Sequence, residues 1–233
     1  MKEIAHIRLL SLWIFLIPFI AVNTCLLISV NHNLLNDTFL NVDMIGRSGF
    51  SIPYFDGSLS ISRASRTFPQ YLIFKPSMVI TSILLCVYWY KSNSIINQFK
   101  NEIDKKNSFM VFGILSAVFL AIHSVFLGIE ADIKIFKFLR RVVLLSFIIF
   151  EIIAQASLVL SLYKLKKKIN NYFDSNVLKL KIFLVLLLIT VAVLSIPLLI
   201  SSGNVHFKHG LEWNYFLGVI IFYLLTKLFW KKL

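Results

Sequence analysis

Apolar residues occur in six long runs along the chain, and most polar residues lie in the connections between them. Each run can cross about 30 Å of hydrocarbon as a helix, which takes about 20 residues. The pattern predicts an all-α fold, a polytopic membrane bundle of six transmembrane helices forming a single domain over residues 1–233. The predicted spans are 9–30, 71–90, 109–128, 138–163, 181–201 and 213–230.

The composition supports this class. Of 233 residues, 58% are hydrophobic and 15% are charged, and the mean hydropathy is +0.80. A single soluble core cannot enclose so much apolar side chain, so the excess must face lipid. The net charge of +13 would suit a nucleic-acid binder, but the basic residues are not gathered on one soluble face with aromatic neighbours. We therefore expect membrane lipids as partners and no nucleic acid.

The distribution of Lys and Arg predicts the orientation. Basic residues concentrate in the N-terminal tail, in the second and fourth connections and at the C-terminal end. Because such residues flank spans on the cytoplasmic side, both termini are predicted to be cytoplasmic. In a bacterial host the membrane would be the inner membrane.

The first connection, residues 31–70, is predicted to be a long outer loop, and loops of this length are usually functional or disordered. Pro53 and the Asp56-Gly57 pair indicate a turn. The alternating serines from Ser58 through Ser60 to Ser62 predict an extended segment with one polar face.

Two arginines follow this segment. If a short helix begins at Arg63, then Arg63 and Arg66 share a face and could hold a phosphate or carboxylate by forked hydrogen bonds. The alternative is that Asp56 only caps a turn and that the arginines meet lipid headgroups nonspecifically.

Ionisable residues inside a span are costly, so each is a functional candidate. Glu151 lies near the middle of the fourth span, with Gln155 one turn further and Arg140 three turns earlier. These residues form a stripe that must face the bundle interior. For Glu151 a structural hydrogen bond to a neighbouring helix is as good an interpretation as ligand binding.

The outer half of the bundle collects the other polar candidates. His123 lies in the third span, and Glu212 and Asn214 open the sixth. This concentration predicts a polar pocket open to the outer leaflet. The predicted ligand-binding residues are Asp56, Ser60, Ser62, Arg63, Arg66, His123, Arg140, Glu151, Gln155, Glu212 and Asn214.

Established catalytic signatures are absent from the sequence. A serine, histidine and acid set could be assembled from Ser62, His123 and Glu212, but the sequence fixes no geometry among them. His206 and His209, in a predicted short outer loop, could touch a metal, but they have no nearby third ligand. We therefore predict neither a metal nor a cofactor.

Three stretches together carry a family resemblance: residues 53–63 before the second span, Glu151 to Gln155, and Leu211 to Asn214. With the six-span layout, they resemble the Frag1/DRAM/Sfk1 group of membrane proteins. The resemblance implies the handling of membrane lipids, and it implies site roles for Asp56, Ser60, Ser62, Arg63 and Glu212, with His123 and Glu151 as further candidates. This chain departs from the group in its compactness and its richness in Lys, Asn, Ile and Phe. A bacterium has no GPI substrate, so the eukaryotic role of GPI-lipid remodelling is not transferred.

Three functions remain open. The first is binding of a lipid or lipid-linked headgroup in the outer pocket. The second is an acyltransferase or lipid hydrolase that uses an outer-loop serine with His123 as base. The third is a small-solute transporter or a subunit of a membrane complex, with Glu151 and Gln155 lining a path. A homo-oligomer or a membrane-protein partner is compatible with each.

Overall fold

The computed structural model describes residues 2–31, 38, 51–100, 107–129, 134–169, 171–201 and 203–231. These residues form eight helices and no strand in the ranges described. The helices are α1 (Lys2–Val30), α2 (Pro53–Asp56), α3 (Ile61–Ser65), α4 (Gln70–Phe99), α5 (Ser108–Phe126), α6 (Lys134–Ile169), α7 (Ser175–Ile200) and α8 (Val205–Phe229).

Six of these helices, all except α2 and α3, are long and apolar enough to cross a membrane. The predicted all-α six-span bundle is confirmed, and the chain is a multi-pass integral membrane protein. Around the bundle, α1 packs on α4, α4 on α5, α5 on α6, α6 on α7, and α7 on α8, which returns to α1. The two short helices lie at the outer end, α2 against α8 and α3 against α1. We call this end outer, and the opposite end cytoplasmic, from the distribution of Lys and Arg.

The helices run beyond the predicted spans because hydropathy marks only the part of a helix that lies in hydrocarbon. The second half of the outer connection also differs from its prediction. Residues 58–62 are not one extended segment, since Ser60 caps α3 and the helix begins at Ile61 rather than at Arg63. The hydroxyl of Ser60 accepts a hydrogen bond from the Arg63 amide, which fixes the first turn.

Aromatic packing holds the middle of the bundle together. The rings of Tyr88 and Tyr223 meet edge to face, with centroids 4.9 Å apart. Trp89 packs against Gly113 so closely that a Cβ there would lie 2.3 Å from the indole. This glycine therefore allows α4 and α5 to approach each other.

The last residues of α8 pair with the connection between α6 and α7. The Asp174 amide donates to the Phe229 carbonyl at 2.9 Å, and the Lys231 amide donates to the Tyr172 carbonyl at 3.0 Å. Ile7 and Trp230 line one cavity, so both ends of the chain lie at the same end of the bundle. An even number of spans requires this arrangement.

Candidate functional site

The outer end of α8 holds the two short helices in place. The Trp213 indole donates to the Leu59 carbonyl at 2.6 Å, and the Asn214 amide donates to the Tyr54 carbonyl at 2.8 Å. Glu212 accepts a hydrogen bond from the Ser62 amide at 3.4 Å. In the structure, Glu212 and Asn214 therefore position α2 and α3 on the bundle.

Asp56 makes local hydrogen bonds. Its carboxylate accepts from the Ile52 amide at 3.0 Å and from the Ser58 amide at 2.8 Å, which closes the turn after α2. Desolvation opposes ionisation of this exposed group, but hydrogen bonds from Ser58 and Ile52 leave the pKa of Asp56 below its ordinary value. Asp56 and Ser60 thus act as caps in the described structure, which is one of the roles predicted for Asp56.

His206 and His209 do not lie in a short loop as predicted. Both are in the first turns of α8, where the ring of His209 is hydrogen-bonded through Nδ1 to the Gly57 carbonyl at 3.0 Å. No group of three or more His, Cys, Asp and Glu side chains in the described ranges could hold a metal ion.

Arg66 meets the outer ends of α5 and α6. Its carbonyl oxygen lies 2.8 Å from where a Cβ of Gly128 would be, so the end of α3 packs on the turn after α5. Arg140 is close enough to Arg66 and to Arg141 to be repelled by both positive charges. We call Arg66, Arg140 and Arg141 the arginine cluster. Within the described ranges, no acidic side chain offsets the charge on Arg140.

His123 lies beneath this cluster. Its side chain is buried against the backbone of Arg140. Its Nδ1 atom has no hydrogen-bond partner among the described residues. Among the residues that the structure describes, no serine hydroxyl is hydrogen-bonded to His123.

Arg63 differs from Arg66 in its surroundings. It is exposed on α3, whereas Arg66 is the half-buried residue that ends this helix. The structure brings Arg66, Arg140 and His123 together and leaves Arg63 at the rim.

The middle of the bundle contains a buried acid. Oε1 of Glu151 accepts hydrogen bonds from the Gln155 amide at 2.9 Å and from the Tyr223 hydroxyl, and Oε2 accepts from the Ser116 hydroxyl at 2.5 Å. Both Glu151 and Gln155 are almost fully buried. We call Glu151, Gln155, Ser116 and Tyr223 the Glu151 cluster. Of the predicted stripe, Glu151 and Gln155 therefore face the bundle interior, whereas Arg140 is half-buried at the outer end of α6.

A second buried group was missed by sequence analysis. The predicted fifth span begins at Lys181, at the cytoplasmic boundary, but in the structure Lys181 lies within α7 and its exposed fraction is 0%. Its Nζ atom donates to the Thr226 hydroxyl at 2.6 Å and lies 3.9 Å from the centre of the Phe222 ring. The Tyr88 hydroxyl is 3.3 Å from the same Thr226 oxygen. A lysine at the end of an apolar run gives no signal of such burial, because its neighbours come from other helices.

The eleven predicted residues thus fall into three groups. The first group, Asp56, Ser60, Ser62, Glu212 and Asn214, organises α2 and α3, which we call the outer cap. The second group, Arg66, Arg140 and His123, lies at the outer ends of α5 and α6. The third group, Glu151 and Gln155, lies in the middle of the bundle. Arg63 stands beside the second group. None of the hydrogen bonds described above joins one of these three groups to another.

Comparisons with known proteins find no relative of this chain. Neither a protein-family model, nor a curated protein, nor a solved structure matches this chain. What the chain does must therefore be argued from its own residues.

Proposed function

We propose that this membrane protein binds the anionic headgroup of a lipid at its outer face, through the arginine cluster. The observation that carries the proposal is that Arg66, from α3, and Arg141 both lie close enough to Arg140 for their charges to act on it. Like charges this close repel one another, and an anion between them would turn the repulsion into charge-assisted hydrogen bonds. Guanidinium groups suit this role because their forked donors match phosphate oxygens.

The surroundings of the cluster favour a lipid over a soluble anion. Phe138, Leu139 and Val142 lie on α6 beside the two arginines, and all three are exposed. These side chains face the hydrocarbon region when the arginines lie at headgroup depth. A ligand that occupies both places has an anionic head and an acyl chain.

The outer cap supports the proposal by fixing the position of Arg66. Asp56 and Ser60 close the turns of α2 and α3, and Glu212 and Asn214 hold both helices on α8. These residues position the site without contacting the ligand. The resemblance to the Frag1/DRAM/Sfk1 group, proposed from the same stretches of sequence, implies lipid handling and agrees with this assignment.

Native mass spectrometry of the detergent-purified protein tests the proposal. The double variant Arg66→Gln with Arg140→Gln should retain at least about tenfold less lipid, because each lost charge-assisted hydrogen bond contributes about 1.5–3 kcal/mol. Arg8→Gln, at the cytoplasmic end, is the matched control and should retain lipid as the wild type does. Equal lipid retention by the double variant and the control would contradict the proposal.

A second measurement separates a lipid from free phosphate. Delipidated protein is mixed either with phosphatidylglycerol in detergent or with inorganic phosphate, and its melting temperature is recorded. We expect stabilisation by the lipid alone, lost in the double variant. Stabilisation by phosphate to the same extent would assign the site to a soluble anion.

A transporter is the second candidate, because buried polar groups continue from Glu151 into the cytoplasmic half at Lys181. It requires a hydrated route to the cytoplasm. In a background without Cys25 and Cys86, a cysteine at Ala154 or Leu158 would then react with a water-soluble thiol reagent added from the cytoplasmic side. The lipid-binding proposal expects both positions to be unreactive.

A further inference from the structure

A small cavity lies inside the cytoplasmic half of the bundle, beside the Lys181 side chain. Residues of α1, α4, α6, α7 and α8 line it, and it offers about 10 Å³ to the centre of a water molecule, which is room for one water or one ion of similar size. Its wall is mostly aliphatic and aromatic, and the side chains with a hydroxyl or amine are Tyr88, Ser92, Lys181 and Thr226. The cavity can therefore hold one small polar ligand.

Lys181 brings a cation to this wall. Its exposed fraction is 0%, and its nitrogen lies 3.9 Å from the centre of the Phe222 ring and 5.4 Å from that of Phe229, both within cation–π distance. Two aromatic faces attract an ammonium group, whereas an uncharged amine would gain little from them. The surroundings of the nitrogen therefore favour the charged form of Lys181.

The charge of Lys181 has no partner of opposite sign in the part of the chain that the structure describes. No acidic side chain lines the cavity, and no charged side chain among the described residues acts on the lysine. An ammonium group buried at membrane depth without a counter-charge is costly. A negatively charged ligand in the adjoining cavity would remove this cost.

Hydrogen-bond donors in the wall also lack an acceptor. An ammonium group carries three N–H donors, and the one acceptor that the described residues give Lys181 is the Thr226 hydroxyl, at 2.6 Å. Ser92 is 3% exposed, and its hydroxyl has no hydrogen-bond partner among the described residues. Because a buried donor without a partner is unfavourable, both side chains require an acceptor from the cavity.

The neighbouring hydroxyls do not supply this acceptor. The Thr226 hydroxyl donates to the Phe222 carbonyl at 3.0 Å, so Tyr88 is the donor in its 3.3 Å contact with Thr226. The Thr226 oxygen thus already accepts from Tyr88 and from Lys181. Tyr88 lies near Ser92 but leaves the serine hydroxyl without a hydrogen bond.

We propose that this cavity binds one small monovalent anion, such as chloride, between the ammonium group of Lys181 and the hydroxyl of Ser92. One negative charge compensates the one buried cation, and the anion accepts hydrogen bonds from both side chains. Phosphate and sulfate are too large for a cavity with room for a single water. A water molecule would pair with Ser92 but would leave the charge of Lys181 uncompensated.

Binding of radioactive chloride to the purified protein, kept in gluconate buffer, tests the proposal. We expect the wild type to bind chloride saturably, at one ion per chain. Lys181→Met should abolish binding, and Ser92→Ala should weaken it at least about tenfold, because one hydrogen bond to a charged ligand is lost. Lys179→Met is the matched control, since Lys179 is an exposed lysine on the same helix, and it should bind chloride as the wild type does.

Two further variants make the outcome decisive. Lys181→Gln removes the charge but keeps an N–H donor, and it should also fail to bind, which covers the case in which the methionine variant does not fold. Arg66→Gln with Arg140→Gln should bind chloride as the wild type does, because the site is independent of the arginine cluster and of lipid binding there. Three results would each overturn the proposal: no binding by the wild type, which would leave water as the occupant; binding retained by a folded Lys181 variant; and binding lost in the folded arginine double variant.

Discussion

The indole N–H of Trp213 on α8 donates a 2.6 Å hydrogen bond to the carbonyl of Leu59, in the segment between α2 and α3. Both residues are fully buried, so water cannot replace either partner. This bond ties the outer cap to the sixth transmembrane helix, and α3, which belongs to this cap, ends at Arg66 of the arginine cluster.

Replacing Trp213 by Phe should destabilise the protein by about 1–3 kcal/mol, because the Leu59 carbonyl would stay buried without a donor. The measurement is thermal unfolding in detergent. Trp13→Phe is the control, since Trp13 is 46% exposed on the outside of α1. Equal melting temperatures for the two variants would show that the hydrogen bond contributes little.

Gly57→Ala should be more harmful than Gly203→Ala, although both glycines have positive φ, +58° and +99°. Any L residue is strained in this region, at a cost of about 1–2 kcal/mol. A Cβ at Gly57 would also lie 1.8 Å from the His206 carbonyl oxygen, whereas one at Gly203 would meet no atom within 4 Å. We expect Gly57→Ala to lose about 1–3 kcal/mol more free energy of unfolding, the usual cost of overpacking. Similar losses would mean that the backbone adapts around α2.

The turn after α2 should loosen in acid. Desolvation opposes the shift, but hydrogen bonds from Ser58 and Ile52 hold the pKa of Asp56 below its ordinary value of 3.8. A depressed pKa means that the stabilisation is complete above the ordinary value and is lost as pH falls through the folded-state pKa. The amide chemical shift of Ser58, followed during acid titration, should report this loss. In Asp56→Asn the titration should disappear, and its persistence would assign the change to another group.

Arg63→Ala should weaken lipid retention less than Arg66→Ala. Arg63 is exposed at the rim, whereas the charge of Arg66 acts directly on Arg140. Native mass spectrometry of the two single variants compares them under identical conditions. An equal loss would place both guanidiniums on the ligand, as the spacing of the two residues in the sequence suggests.

The sequence predicts the six spans because hydropathy depends on local composition, which needs no knowledge of neighbours. The Glu151 and Gln155 pair is predictable for the same reason, since one turn of one helix joins them. The other hydrogen-bond partners of Glu151 cannot be predicted in this way. Ser116 and Tyr223 come from α5 and α8, and nothing in either helix marks the position that faces Glu151.

Lys181 shows most clearly that burial by distant residues leaves no local pattern in the sequence. In the sequence it is one more lysine at a membrane boundary, where a long side chain usually reaches water. Its burial depends on Phe222, Thr226 and Phe229, which follow more than forty residues later. The prediction of an extended segment over residues 58–62 is wrong for a related reason. Alternating serines suggest a strand, but Ser60 instead uses its hydroxyl to start a helix.

The pairing of Lys231 with Tyr172, and of Asp174 with Phe229, has a practical consequence for handling the protein. Residues 229–231 are held beside the connection between α6 and α7. Any change at Lys231 or Phe229 therefore acts on that connection, which leads into the helix that carries Lys181. Replacing Lys231 by Pro would remove the amide that donates to Tyr172 and would release this segment from the connection between α6 and α7.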